Sequence, residues 1–264
     1  MANLEKLRSK FITETKKKVK ETYERRDNHI IRAVSALNQL DEIFNLLFEQ
    51  ISEWYSMHFP ELEKELNSND MYLKLIEGIG LRKDFAEENI SAIYKNIEAS
   101  KNIEKLAKES IGSEMEEADL ARIKAMCTLG LSLKVERDAE AAYIDTEMKK
   151  LLPNFSKLAG TLIGAKMLAI VGSLERLIKM PASTVQILGA EKALFQHLKT
   201  GSKPPKYGLL YQHPMVKKAR PDHKGKVARM LAAKLSLALK VDYFTKRDIS
   251  SELELDLIEK TKGL

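Results

Sequence analysis

Apolar residues recur every three or four positions through the first quarter of the chain. Ile30, Val34, Leu37, Leu40, Phe44, Leu47 and Ile51 form one stripe, the period of an amphipathic helix kept up for about six turns. Residues 1–60 therefore predict helix with short breaks. Pro60 stops it, because it disfavours helical backbone at Phe59; Trp54, Tyr55, His58 and Phe59 read as a packed helix-end cluster. From about Arg82 the stripes become thinner. Ala86, Ile90, Ile93 and Ile97 follow in steps of 4, 3 and 4, then Leu120, Ile123, Cys127 and Gly130 in steps of 3, 4 and 3, with Ala141, Ile144, Met148 and Leu151 behind them. Such a narrow seam is that of a coiled coil. Ser113 and Glu116 have the spacing of a capping box, with Glu117 and Asp119 loading the positive end of the helix they would open. The pattern predicts an antiparallel hairpin, each arm about 40 Å long at 1.5 Å per residue. Ile93, Ile97, Leu120, Ile123 and Cys127 would then offer a face to a second copy.

Residues 153–264 predict shorter helices, with breaks near Pro181, Gly189, the loop TGSKPPKYG and His213-Pro214. One longer helix follows, from Asp222 to Phe244, its apolar side supplied by Val227, Met230, Leu231, Leu235, Leu237 and Leu239. Ser251 with Glu254 repeats the capping-box spacing before a terminal helix. The expected fold is all-α: connecting helices over 1–82, the hairpin over 83–152, and a compact helical domain over 153–264. Few turn residues, twelve glycines and seven prolines in 264 residues, weigh against an all-β alternative. The apolar run 158–174 contains Lys166 and falls short of the roughly twenty residues a membrane span needs; Gly160 and Gly164 in it suit close helix packing.

Charge changes the picture more than composition does. Between Lys192 and Arg247 stand fourteen Lys or Arg residues and only two acids, Asp222 and Asp242; elsewhere thirty bases face thirty-six acids. Clustered cations gain free energy by displacing counterions from phosphates, so this window points to nucleic acid. Lys224, Lys226 and Arg229 crowd the start of the 222–244 helix, where the helix dipole disfavours cations and where arriving phosphates would offset the cost. Catalytic signals are weak. GTLIGAK (160–166) lacks the spacing of a phosphate loop, the five histidines form no HxxxH pair, and a single cysteine excludes both a thiolate zinc set and an internal disulfide. No cofactor or metal is expected.

The run MPASTVQILGAEKALFQHLKTGSKPPKYGLLYQHP (180–214) and then HKGKVARMLAAKLSLALKVDYF (223–244) closely resembles the Nop domain. The likeness extends through NFSKLAGTLIGAKMLAIVGSLERL and back to RRDNHIIRAVSALNQLDEI, covering nearly the whole chain; the loop TGSKPPKYG with YQHP looks most like the archaeal member. The resemblance implies a non-catalytic scaffold of a box C/D guide-RNA particle. It implies dimerisation through the hairpin, and binding of a kink-turn RNA together with a small kink-turn-binding protein. It also implies fibrillarin, the methyltransferase that modifies the ribose 2′-hydroxyl, as a partner held by a separate N-terminal domain; that domain is expected to be absent here. The implied location is the cytoplasm of an archaeal cell, or the nucleolus in a eukaryote.

Two family motifs map onto this chain. GAEK is Gly189, Ala190, Glu191 and Lys192, implied to lie where the kink-turn and its protein meet; helix-opening N–H groups there would suit an anion. The motif usually written ALFR is Ala193, Leu194, Phe195 and Gln196, implied to abut the end of the guide–substrate duplex, where an aromatic ring covers a terminal base pair by stacking. Gln196 replaces the usual arginine and removes a cation. Periodicity alone would place Phe195 in the core. Lys199, Gln212, His213, Lys224, Lys226 and Arg229 complete the expected RNA-binding set, with His213 equally readable as a turn cap. The other readings are a spliceosomal-type Nop protein organising a kink-turn particle without methylation, and a coiled-coil adaptor that binds proteins alone.

Overall fold

The computed structural model describes residues 2–262, so Met1, Gly263 and Leu264 of the first and third expected segments lie outside it. Among the described residues there are fifteen α-helices, two 3-10 turns and no strand, which agrees with the all-α expectation. Helix α1 is Ala2–Glu24 and α2 is Arg26–Ser56. Then come α3 (Leu62–Glu65), α4 (Asn69–Gly78), α5 (Glu87–Ile93), α6 (Ile97–Glu109) and α7 (Glu117–Leu151). The C-terminal part holds α8 (Pro153–Ala159), α9 (Thr161–Val171), α10 (Leu174–Lys179), α11 (Ala182–Ile187), α12 (Glu191–Thr200), α13 (Pro214–Lys218), α14 (Lys224–Phe244) and α15 (Ser250–Thr261).

The chain forms two compact units, residues 37–139 and residues 1–36 with 140–264; both boundaries fall inside α2 and α7. In the unit of residues 37–139 the hairpin exists, but its first arm is α2. Arg137 Nε donates to Asp41 at 3.0 Å, Gly130 lies against Leu47, and Ser113 N–H donates to the Met57 carbonyl at 2.8 Å. Ascending residues of α2 thus meet descending residues of α7, an antiparallel pair. The stripe expected as the other arm is broken into α5 and α6. Asn96 caps α6 by accepting from Ala99 N–H at 3.2 Å and so ends any continuous helix there. Ile90 and Ile103 turn into a core of Phe48, Ile51, Tyr55, Phe59, Tyr72, Leu73 and Ile76.

That core corrects the expected dimer face. Leu120, Ile123 and Cys127 are buried in it, against residues of their own chain, and Ile93 packs on its margin. Only Ile97 is open, at 64% exposure. The capping box at Ser113 and Glu116 does not form either. Ser113 Oγ donates to the Met57 carbonyl at 2.9 Å, and α7 starts later, at Glu117. The reason is a clamp on the preceding loop. Buried His58 bridges the Ser113 carbonyl (2.7 Å) and the Arg82 N–H (2.8 Å), while Arg82 Nη1 donates to the carbonyls of His58 and Gly112. A Cβ on Gly112 would stand 2.0 Å from the His58 carbonyl oxygen, so only glycine fits.

In the other unit α14 is the central helix, packed by α8, α10, α11, α13 and α15. Val227, Leu231, Leu235 and Leu239 are buried as expected, with Ala228, Ala232 and Ala238 between them, small enough for close helix approach. Leu237 and Met230 fall off that stripe; Leu237 is exposed and Met230 half-buried. Asp242 is buried at the far end of α14 and caps α8. It accepts from Asn154 N–H (3.1 Å), Asn154 Nδ2 (2.6 Å) and Phe155 N–H (2.9 Å). Burial pushes its carboxyl above the ordinary range, against the pull of these donors. Asp27 ties the start of α2 to α10 by accepting from Leu174 N–H at 2.9 Å. The apolar run 158–174 is interrupted at Gly160 (φ 78°), and Gly164 packs closely against Phe155. No helix among the described residues is long and apolar enough to cross a membrane. The second expected capping box gives way to Asp248, whose carboxylate accepts from Ser250 N–H at 3.0 Å, and α15 starts two residues earlier, with Ile249 rather than Ser251 at the N-cap.

Candidate nucleic-acid interface

Three segments meet around the 3-10 turn Leu209–Gln212. The first is the opening of α12. Gly189 has φ 86°, and a Cβ there would lie 3.0 Å from Leu209 Cγ, so both backbone and space demand glycine. Ala190 is the N-cap residue and offers no side-chain cap; the first intrahelical bond runs from Leu194 N–H to its carbonyl at 3.0 Å. The N–H groups of residues 191–193 precede that bond and face outward. Glu191 already brings a carboxylate to this end, accepting from Gly189 N–H at 2.8 Å.

No residue of α12 is buried. Phe195 is 62% exposed, so the core reading is wrong and the ring is free to stack. Lys192, Ala193, Gln196 and Lys199 are exposed, Leu194 half-buried. Leu198 is exposed as well, which gives the helix an uncovered apolar edge among cations.

The second segment is the loop 201–208, joined to the turn and pinned to α11. Gln186, itself buried, donates through Nε2 to the Lys206 carbonyl at 2.6 Å; Gly208 N–H donates to the Gln186 carbonyl at 3.1 Å and Leu209 N–H to that of Leu188 at 2.7 Å. The third is the start of α14. It carries no acid in its first turn and no side-chain cap at His223, while Lys226 and Arg229 are exposed. Lys224 Nζ sits 4.9 Å from the centre of the Tyr211 ring, and Tyr211 stacks on Tyr207 at 5.0 Å with 15° between planes. The two tyrosines and Gln186 were missing from the expected set; the four-residue spacing of Tyr207 and Tyr211 inside a basic segment was the available signal.

Among the described residues, and within this unit, one of the fourteen cations between Lys192 and Arg247 forms an ion pair, Lys234 with Asp256. Of the two acids in the same window, Asp242 is buried and spent on the α8 cap, which leaves Asp222 at the surface. The positive charge is therefore open rather than balanced inside the unit. Gln212 lies exposed on the turn. His213 departs from the expected set. It is buried, its Nε2 donates to the Leu158 carbonyl at 3.0 Å, and its Nδ1 accepts from Met215 N–H at 3.3 Å. It caps α13 and presents no face to a base; burial holds its pKa below the ordinary histidine value.

A family model described as a snoRNA-binding domain, fibrillarin, matches residues 36–262. The chain belongs to the Nop family. It is 42% identical over 229 residues to an uncharacterised NOP5 family protein of Methanocaldococcus jannaschii, covering 87% of this chain and 55% of that one. It is 39% identical over 247 residues to nucleolar protein 58 of Debaryomyces hansenii, covering 93% and 48%. The chain thus spans about half the length of the curated relatives it matches. Among solved structures, the fibrillarin/Nop5p complex contains a similar chain, with a TM-score of 0.52 and 26% identity, covering 98% of this chain and 77% of that one.

Proposed function

We propose that this chain is a non-catalytic scaffold of a box C/D-type guide-RNA particle, cytoplasmic in an archaeal cell or nucleolar in a eukaryotic one. Its face of α12, the 209–212 turn and the start of α14 docks on a kink-turn RNA that already carries its small binding protein. The observation that carries this reading is the open cationic window, one ion pair among fourteen cations, in a member of a snoRNA-binding family. Duplex RNA offers side chains little readable sequence, so selectivity comes from RNA shape and from the bound protein. Exposed Phe195 covers a terminal base pair, and the GAEK residues Gly189–Lys192 meet the junction of RNA and protein. Fibrillarin is the methyltransferase partner, reached through the part of the relatives that this chain does not span.

A second copy joins through the α2–α7 hairpin. The buried seam does not serve; Ile43 and Leu46 on α2 and Leu129 and Val135 on α7 are exposed apolar residues of the same unit and take its place. The test is a pull-down with kink-turn RNA, with and without its small binding protein at fixed salt, followed by mass measurement. Much tighter capture with the protein, at a mass holding two copies of this chain, is expected. Equal capture in both arms rejects the composite surface, and salt-insensitive behaviour with no RNA retained favours a protein-only adaptor.

A further inference from the structure

Two lysines of the basic face are held in place without being neutralised. Lys224 lies over the Tyr211 ring and Tyr211 is braced by Tyr207. The stem of Lys206 runs along the first turn of α14, its Cβ and Cδ each 3.5 Å from where a Cβ on Gly225 would be. The backbone at Lys206 is fixed by the buried Gln186 amide. Within the unit neither lysine has an acidic partner. A lysine usually loses much rotamer freedom when it grips a ligand; here part of that loss is taken at folding. An aromatic face attracts an ammonium while leaving all three of its N–H donors unused.

We infer that Lys206 and Lys224 form a phosphodiester site, with Tyr211 as the positioning residue of Lys224 and Tyr207 as its brace. This rests on the RNA reading above and adds to it a contact, Lys206, and a reason for the aromatic pair. The site takes the sugar–phosphate backbone rather than a base, because Tyr207 already occupies one face of Tyr211 and Lys224 also lies over the ring. It therefore adds affinity that is indifferent to sequence.

The experiment measures affinity of the whole chain for kink-turn RNA bound to its small protein at several salt concentrations. Lys206→Ala should lower the slope of log affinity against log salt by about one. Tyr211→Phe keeps an aromatic face and should stay within about twofold of the parent, whereas Tyr211→Leu should weaken binding by about threefold. The double variant Tyr211→Leu with Lys224→Ala should bind no worse than Lys224→Ala alone, since the ring acts only through the lysine. Additive effects in that cycle, or an unchanged slope in Lys206→Ala, would overturn the inference while the RNA reading stands. Failure of the reading itself looks different: Lys224→Ala would then leave affinity and slope untouched, and both fall. Lys206 is exposed and its side chain makes no bond to the core, so its arm remains decisive even if Tyr211→Leu unfolds; loss of the ring-current shift on the Lys224 methylenes in Tyr211→Leu reports the cation–π contact directly.

Discussion

The unit of residues 37–139 holds twelve Lys or Arg residues and twenty-one acids; the unit of residues 1–36 and 140–264 holds thirty-two and seventeen. The first unit and the basic window of the second also differ in how they use their cations; outside that window the second unit pairs Arg25, Arg26, Lys149 and Lys150. In the first, Arg82, Lys101, Lys108, Lys134 and Arg137 all form ion pairs inside the unit, and Arg82 and Arg137 reach across from one segment to another. In the second, the window from Lys192 to Arg247 pairs only Lys234 among the described residues, although acids are present nearby in sequence. Exposed ion pairs contribute little to stability, so leaving cations unpaired costs the fold little and keeps their full field for a polyanion. Charge joins segments in the first unit, whereas in this window of the second it is left free as a binding surface.

The largest effect should come from removing that surface. Lys224→Ala, Lys226→Ala and Arg229→Ala together are expected to lower the salt slope of assembly on the RNA–protein module by about two to three, at about 0.7–0.9 per phosphate contact. The matched change in the acidic unit, Lys74→Ala, Lys83→Ala and Lys95→Ala, all exposed lysines, should leave the slope where it was. Equal losses in both triple variants would dissolve the contrast between the units and leave only net charge.

Next in size is Asp242→Ala. It leaves the N–H groups of Asn154 and Phe155 without their acceptor in a buried place and takes one of two acceptors from the Asn154 amide, which keeps the Arg247 carbonyl, a loss of about 2–3 kcal/mol. Urea unfolding reads this as a lower midpoint; an unchanged midpoint means that the cap contributes nothing. This acid also shows where sequence reading stops. A lone acid at the end of an apolar helix was visible, but its partners stand 87 and 88 residues away, and no local spacing joins them. The first arm of the hairpin was misplaced for the same reason. Steps of three and four mark which side of α7 is apolar, not which helix covers it, so α2, whose stripe was read correctly, was not recognised as the partner. The break between α5 and α6 was legible in principle, since Asn96 is a strong N-cap residue in front of a helical pattern.

A smaller, cleaner effect separates binding from folding on α12. Phe195 is exposed and touches no core, so Phe195→Ala should change stability by less than about 0.5 kcal/mol. If the ring covers a terminal base pair, the same substitution should weaken assembly on guide–substrate duplex by about 1–3 kcal/mol. A stability loss equal to the binding loss would return Phe195 to a packing role, the reading that its helical spacing first suggested.

The smallest effect is a dependence on pH, and it should fall on one unit alone. His213 is held neutral: Nε2–H donates to the Leu158 carbonyl, Nδ1 accepts from Met215 N–H, and burial lowers its pKa from the ordinary 6.5. A histidine depressed in the folded state takes up its proton more readily once unfolded. Its contribution is therefore complete above about pH 6.5, the unfolded value, and is lost as pH falls through the depressed folded value. Between pH 7.5 and 5 the unfolding midpoint should drop, and hydrogen exchange should quicken at α13 before it does at α4. Asn is a good helix N-cap that cannot titrate, so His213→Asn should keep α13 capped and flatten this part of the pH profile. A profile as steep in His213→Asn as in the parent would move the titration to another group and, with it, the claim that this histidine serves the fold rather than the RNA.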